Sequence, residues 1–282
     1  MPLNPRDRIT KLVGVGGSTM AGHGARRYGQ GWFDKLGARF YDTFKTPVAG
    51  YSSGVDIMQL AQAGETVSSF DKHLGTLIQL YNEAPDRGRS LWLVQSGNNE
   101  AWVRSYDRHM PIGEYAEHVG SIALQLLEAG AVVVGVGTVP IAEKRVARTR
   151  SVEVPEQVIS AIQYQDVAAT AIKKAAIQAD KYDDAYFVPL YATCMMGMRD
   201  GKYDQDDDGI HPNPAGHDLI ADRVWQEVAP ITYLSQGEDN IRDWADGSYR
   251  VQDVLPDGPQ SYNFLSWRYI VPPPARSVTI QL

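Results

Sequence analysis

The sequence predicts an α/β fold, a three-layer sandwich in which helices cover both faces of a mostly parallel sheet of five strands. Short apolar segments alternate with longer segments of helical periodicity. Two of the apolar segments, residues 91–94 and 131–136, contain no polar side chain. Continuous apolar runs are typical of parallel strands that are buried on both faces. Strands separated by helices in turn imply a parallel sheet.

The individual helices and strands are predicted from the spacing of apolar residues and from the glycine and proline residues that end them. Residues 32–44 carry Phe33, Leu36 and Phe40 on one helical face, and a second periodic helix, residues 115–129, ends at Gly130. The carboxyl ends of parallel strands are where chemistry is expected. The predicted strands are residues 12–15, 55–61, 90–95, 131–136 and 186–189, and the predicted helices are residues 32–44, 67–81, 115–129, 158–179 and 215–228.

A change of pattern after Pro230 divides the chain into a catalytic domain, residues 1–230, and an extension, residues 231–282. The extension has no lysine and contains several turn signals, including Asp-Gly and Pro-Pro-Pro sequences. Residues 261–271 and 277–282 alternate in the manner of strands. We therefore predict a small β-rich C-terminal extension, an interaction or assembly element.

Composition excludes several classes of function. The 282 residues are 43% hydrophobic and 22% charged, as in ordinary soluble proteins. A net charge of −7 and a pI near 5.4 argue against nucleic-acid binding, which needs clustered Lys and Arg. No segment approaches the roughly 18 apolar residues of a membrane span, and residues 1–8 lack the apolar core of a signal peptide. We expect a soluble protein, cytoplasmic or virion-associated.

A serine follows the first predicted strand on a glycine-rich turn, residues 14–22. A dinucleotide fingerprint would need glycine in place of Thr19, and a phosphate-binding loop would need lysine in place of His23. The G-x-S-x-G elbow fails at Met20. Ser18 remains as a candidate nucleophile, with a helix N-cap as the alternative.

A second motif, near the end of the predicted domain, supports Ser18 as a nucleophile. Asp208 precedes His211 by three residues, directly before the last predicted helix. Such a turn places a carboxylate on one imidazole nitrogen and leaves the other nitrogen for a serine hydroxyl. This is the arrangement of nucleophile, base and orienting carboxylate in a catalytic triad.

Two further elements suit the stabilisation of an oxyanion. Residues 95–100, Gln-Ser-Gly-Asn-Asn-Glu, directly follow the third predicted strand and carry asparagine amides that can donate hydrogen bonds. Gly64 follows the second predicted strand, where the lack of a side chain lets its N–H approach the same oxygen.

These four blocks, in this order and at these strand ends, resemble the SGNH/GDSL hydrolase superfamily. The resemblance spans residues 11 to about 229, and its most distinctive block is D-x-x-H-P-N-x-x-G-H, residues 208–217. It implies the flavodoxin-like SGNH fold and a triad of Ser18, Asp208 and His211. The implied oxyanion hole comprises the N–H groups of Ser18 and Gly64 and the side chain of Asn99.

The chain departs from that family at two positions. Gly17 and Glu100 both stand where the family usually has aspartate. Neither position supplies the attacking group or an oxyanion donor, so we expect activity to survive both departures. Gly54 is a rival to Gly64 in the second block; Gly64 is preferred because Glu65 and Thr66 then open the next helix.

Two other features, an acidic loop and a group of aromatic residues, each have both a functional and a structural interpretation. Residues 204–209 match the start of a calcium loop, but position 215 is alanine where the closing glutamate belongs, so we expect no bound metal or other cofactor.

Aromatic residues beside the blocks could stack on a sugar ring, although core packing is the common role at such spacings. These candidate substrate-binding residues are Trp32, Trp102 and Tyr106.

Taken together, the sequence predicts a serine esterase that hydrolyses carboxylic esters, most plausibly a carbohydrate O-acetyl esterase. The preference for a sugar depends on the flanking aromatics, on the absence of a long apolar lid and on family analogy. The alternatives are lipid, aryl or thioester hydrolysis on the same fold, or a non-catalytic carbohydrate-binding or virion structural protein. The sequence leaves the oligomeric state open.

Overall fold

One parallel sheet forms the centre of the structure. The structure is a computed structural model that describes residues 9–44, 55–82, 88–101, 110–141, 160–206 and 208–236. Within these ranges the strand order is β2-β1-β3-β4-β5, and every neighbouring pair is parallel. The strands are β1 (Ile9–Gly16), β2 (Asp56–Gln59), β3 (Arg89–Gln95), β4 (Val132–Val136) and β5 (Ala185–Val188).

Helices cover both faces of this sheet. In the described ranges they are α1 (Trp32–Phe44), α2 (Val67–Asn82), α3 (Ile112–Glu128), α4 (Ser160–Ala179), α5 (Tyr191–Arg199) and α6 (Pro214–Gln236). No helix among the described residues is long and apolar enough to cross a lipid bilayer.

Two hydrophobic cores, one on each face, hold the three layers together. Successive strand residues point to opposite faces, so Val134 joins the core under α1, α5 and α6, whereas Val133 joins the core under α2, α3 and α4. Both side chains are fully buried. The strand order and the two cores confirm the predicted flavodoxin-like α/β/α sandwich.

The carboxyl ends of the first three strands meet at one edge of the sheet. β1 lies between β2 and β3, and its pairing with β2 continues beyond the strand, where the Leu60 N–H donates to Gly14 O and the Gln62 N–H donates to Gly16 O. The segments that follow these strands therefore leave the sheet side by side. They contain Ser18, Gly64 and Asn99.

The structure differs from the predicted elements in two places. Helix α5 was not among the predicted helices. Helix α6 continues through Pro230 to Gln236 and so crosses the boundary placed at residue 230. Residues 237–282, which include the predicted strands of the extension, lie outside the described ranges.

The contact between β1 and α1 leaves no room for a side chain at Gly14. A methyl group there would overlap the ring of Phe33. We predict that Gly14→Ala lowers the free energy of unfolding by about 1–3 kcal/mol through overpacking. Denaturant unfolding measures the loss.

Gly75 provides the matched control, because a methyl group there meets no atom within 4 Å and Gly75 lies inside α2. Gly75→Ala should raise stability by about 0.5–1 kcal/mol, the usual gain of alanine over glycine in a helix. Equal effects of the two substitutions would contradict the packing described here.

Candidate active site

Ser18 lies on a tight turn directly after β1. The turn is closed by backbone hydrogen bonds from Ala21 N–H to Gly17 O and from His23 N–H to Ser18 O, at 3.1 and 3.0 Å. Met20, fully buried, anchors the turn in the core. The hydroxyl of Ser18 is thereby held at the carboxyl edge of the sheet.

His211 approaches Ser18 from the other end of the described chain. Its Nε2 lies 2.7 Å from Ser18 Oγ, and its Nδ1 lies 2.5 Å from Asp208 Oδ2. A carboxylate only accepts, so Nδ1 carries the proton and the free Nε2 faces the serine hydroxyl. This is the tautomer that a general base requires.

Asp208 is itself fixed by the turn that it begins. Its Oδ1 accepts the N–H groups of Ile210 and His211, at 2.8 and 3.0 Å, and Gly209 supplies the positive φ of 72° that the turn needs. Partial burial alone would raise the pKa of Asp208, but the two N–H donors and His211 outweigh burial and hold the pKa below its ordinary value. The carboxylate is therefore charged at neutral pH.

The two asparagines after β3 have different partners. The side chain of Asn98 forms two hydrogen bonds with the backbone of Val139: its Nδ2 donates to the carbonyl, and its Oδ1 accepts the N–H. Asn99 instead donates from Nδ2 to Glu65 O at 2.7 Å. A Cβ at Gly17 would lie 2.8 Å from the same Nδ2, so the Asn99 amide borders the serine turn.

This close approach concerns one of the two departures from the family pattern. An aspartate at position 17 would bring its Cβ so close to the Asn99 amide that the end of the asparagine side chain would have to shift. Glycine at position 17 therefore lets the asparagine lie directly beside Ser18.

Gly64 lies in the segment after β2 that Asn99 contacts. It has a φ of 81°, a conformation that favours glycine, and it immediately precedes Glu65, whose carbonyl accepts the Asn99 hydrogen bond. Gly54, its rival in the sequence, lies outside the described residues.

A shallow cleft opens at this edge of the sheet. It receives residues from the segments after β1, β2 and β3, which is the arrangement that the topology requires. The lining residues are Gly17, Ser18, Thr19, Glu65, Gln95, Ser96, Asn98, Asn99 and Glu100.

His217 clamps the serine side of the site to the histidine side. Its Nδ1 accepts the N–H of Trp32 at 3.1 Å, so its Nε2 carries the proton and donates to His23 O at 2.9 Å. Burial, more than any neighbouring charge, lowers the pKa of His217 to about 4. The ring is neutral at physiological pH and joins α6 to the segment that follows Ser18.

Sequence reasoning did not single out His23, which lies beside the candidate base. The His23 ring is exposed, and its centroid is 5.2 Å from that of His211. Partial burial and the proximity of His211 lower the pKa of His23, although Asp208 opposes them. Its spacing from Ser18 carries no motif, so only the fold reveals this neighbour.

The remaining candidates have mixed outcomes. Trp32 is fully buried in the core under α1, so its ring offers no face to a sugar, and the core alternative holds for it. Trp102 and Tyr106 lie outside the described residues.

Among the residues that the structure describes, no three His, Cys, Asp or Glu side chains cluster in a way that would hold a metal ion. In the acidic loop, Asp206 pairs with Arg26 and Asp208 with His211.

Comparison with known proteins identifies a family. The model of the GDSL-like Lipase/Acylhydrolase family matches residues 15–219. No curated protein sequence matches the chain.

Solved structures share the fold at low sequence identity. TesA is 21% identical over 78% of this chain and 99% of its own, with a TM-score of 0.52. Axe2, an acetylxylan esterase from Geobacillus stearothermophilus, is 15% identical over 79% and 96%, with a TM-score of 0.53. The psychrotrophic esterase EstA from Pseudoalteromonas sp. is 14% identical over 78% and 97%, with a TM-score of 0.52.

The neutral state of His217 leads to a prediction about pH. Its pKa is about 4 in the folded protein and near 6.5 in an unfolded chain. The contribution of the neutral ring is thus complete above pH 6.5 and is lost as the pH falls towards 4. Between these values the free energy of unfolding should drop by roughly 3 kcal/mol on account of this residue.

His217→Gln is the informative variant, because glutamine can accept from Trp32 and donate to His23 without titrating. Urea unfolding at pH 7, 5.5 and 4 should show a flatter pH dependence for His217→Gln than for the wild type. Parallel curves for the two proteins would refute a neutral, buried His217.

Proposed function

Since the chain belongs to the GDSL-like Lipase/Acylhydrolase family, we propose that it is a serine esterase that hydrolyses carboxylic esters, with Ser18 as nucleophile. The observation that carries the proposal is the continuous hydrogen-bonded line from Ser18 Oγ to His211 Nε2 and from His211 Nδ1 to Asp208. An N-cap serine would need no such partner.

Acylation begins with the transfer of the Ser18 proton to His211 Nε2. Ser18 Oγ bonds to the ester carbonyl carbon, and the carbonyl electron pair moves onto oxygen to give a tetrahedral oxyanion. Asp208 remains ionised and stabilises the imidazolium that forms. His211 then donates its proton to the leaving alcohol, and an acyl-serine is left.

Deacylation repeats these steps with water. His211 Nε2 takes a proton from water as the water oxygen attacks the acyl-serine carbonyl. Collapse of the second tetrahedral intermediate returns that proton to Ser18 Oγ and releases the carboxylic acid. No cofactor enters either half of the reaction.

We assign the oxyanion hole to the N–H groups of Ser18 and Gly64 and to Asn99 Nδ2. The Asn99 amide has two N–H bonds, of which Glu65 O takes one, so the other is available to the oxyanion. One such donor contributes about 3–4 kcal/mol to the stabilisation of the transition state.

We propose an O-acetylated carbohydrate as the substrate. Two observations support this choice: the cleft beside Ser18 is shallow and has room for a short acyl group, and Axe2, an acetylxylan esterase, is among the proteins of the same fold. Hydrolysis of longer lipid esters or thioesters would call for an apolar acyl channel. Among the described residues that line the cleft, none has an apolar side chain.

The first test of this proposal is Ser18→Ala. Loss of the nucleophile should reduce hydrolysis of p-nitrophenyl acetate by at least about 10³-fold, because little more than oxyanion stabilisation and binding then remains. A fluorophosphonate probe should label the wild type at Ser18 and should leave the variant unlabelled.

Ser121→Ala is the matched control. Ser121 lies on α3, where it is hydrogen-bonded to Asp71, away from the cleft. It should keep full turnover and labelling. If Ser18→Ala retains most of the wild-type turnover while folded, the assignment is wrong.

Acyl length tests the proposed substrate class separately. We expect kcat/KM for an acetylated xylo-oligosaccharide to exceed that for an octanoyl ester by at least about tenfold, since the shallow cleft cannot bury the longer chain. Release of acetate and of octanoate is followed with the same enzyme preparation. A preference for the octanoyl ester would replace the carbohydrate proposal with a lipid esterase, while Ser18 would remain the nucleophile.

A further inference from the structure

Glu100 is a buried carboxylate at the rear of the candidate site. Only 1% of the residue is exposed, and it directly follows Asn99 in the chain. Its two carboxylate oxygens have different partners: Oε2 accepts the N–H of Gly97 at 2.8 Å, and Oε1 accepts the N–H of Val67 at 2.7 Å. One side chain thus holds the segment after β3 and the start of α2.

A second link joins the same two segments. Asn99 Nδ2 donates to Glu65 O, two residues before Val67. The hydrogen bonds between Val67 and Glu100 and between Asn99 and Glu65 close a ring. The ring runs from Glu100 through Val67 to Glu65 and back through Asn99. Gly64 is the next residue along this segment. Both assigned oxyanion donors outside the serine turn, Gly64 N–H and Asn99 Nδ2, therefore lie in or beside the ring.

Capping of α2 accounts for only part of this arrangement: Glu100 accepts the N–H of the first helical residue, but it also accepts the N–H of Gly97 in its own segment. The turn at the start of α2 has its own side-chain partners, because Thr66 N–H donates to Ser69 Oγ and the Ser69 hydroxyl donates to Thr66 O. Glu100 reaches the helix from the segment after β3, 33 positions away along the chain.

The buried carboxylate of Glu100 depends on the N–H groups that it accepts. Burial raises the pKa of Glu100, although the N–H groups that it accepts oppose the rise. A buried carboxyl group is costly unless its hydrogen bonds are all made. A long side chain is also needed to reach Val67, which accounts for glutamate where the family usually has aspartate.

We propose that Glu100 is a positioning residue that holds the segments of Gly64 and Asn99 at the spacing of the oxyanion hole. The proposal rests on the esterase function assigned to Ser18. Although Glu100 borders the cleft, its carboxylate oxygens are taken up by the N–H groups of Gly97 and Val67, so it acts through Asn99 and not on the reacting atoms. Its removal should therefore slow the chemical step more than it weakens substrate binding.

A double-mutant cycle of Glu100→Gln and Asn99→Ala tests the proposal with p-nitrophenyl acetate. Glutamine replaces one accepting oxygen by an NH2 group, which cannot accept a backbone N–H. We expect Glu100→Gln to lower kcat by about 10- to 100-fold with KM changed by less than about threefold, and Asn99→Ala to lower kcat by about 10²- to 10³-fold. The double variant should be no slower than about twofold below Asn99→Ala alone.

Glu227→Gln is the control for a general loss of stability. Glu227 is likewise a buried glutamate, but it pairs with Arg223 on α6, away from the cleft. It should lower the melting temperature and leave kcat within about twofold of the wild type, provided that both proteins are assayed well below their melting temperatures. Should Glu100→Gln not fold, Glu100→Asp takes its place in the cycle, since its carboxylate is one methylene short of Val67.

Multiplicative losses in the double variant would overturn the proposal, because Glu100 would then act independently of Asn99. So would a normal kcat in Glu100→Gln. Either result, with Ser18→Ala inactive, leaves the esterase function intact and removes only the role of Glu100. An active Ser18→Ala would remove the function itself.

Discussion

The hydrogen bond between Ser18 and His211 is the interaction on which the site depends, and it joins residues 193 positions apart. Such a contact forms only if both ends of the domain are fixed to the same edge of the sheet. β1 fixes the serine end because it lies inside the sheet between β2 and β3. The histidine end is held by the start of α6, which packs on the same face as α1.

Direct contacts between the serine and histidine segments then set their distance. His217 donates to His23 O and accepts from the first residue of α1, so one neutral ring joins α6, α1 and the serine segment. A side chain on Gly24 would overlap the carbonyl of Pro212 and press on His211 Cβ, so glycine allows the two backbones to touch. The exposed pair of Arg26 and Asp206 adds a further bridge, one that contributes little in water.

The departures from the family pattern are coupled through Asn99. Glycine at position 17 makes room for the Asn99 amide, and glutamate at position 100 reaches across to α2 behind it. Both departures thus adjoin the same asparagine. They surround the proposed oxyanion donor, while the proposed triad keeps the residues of the family.

Much of the fold follows from patterns that one sequence contains. β3 contains an uninterrupted apolar run, β4 consists of one, and α1 has one strongly apolar face, so these elements were predicted to within a few residues. Helix α5 was missed because its nine residues bury only Cys194 and Gly197 and expose Met195 and Met196. Its helical period is correspondingly weak.

Other features depend on partners that lie far away in the chain. The helix after His211 was expected to end before Pro230, but buried residues on both sides of the proline, including Val228 and Ile231, hold the helix in the core beyond it. The order of Ser18, Asp208 and His211 was visible as a motif. The hydrogen bond between Glu100 and Val67 was not visible in the sequence, since no spacing rule connects the loop after one strand with the helix that follows a different strand.

The structure of a covalent phosphonate adduct tests the central claim most directly, because the phosphoryl oxygen imitates the tetrahedral oxyanion. The account predicts phosphorus bonded to Ser18 Oγ, with the phosphoryl oxygen about 3 Å from Asn99 Nδ2 and from the Gly64 N–H, and His211 still bound to Asp208. Phosphorus on another residue would contradict the account. So would an adduct on Ser18 whose phosphoryl oxygen points away from Asn99 into solvent.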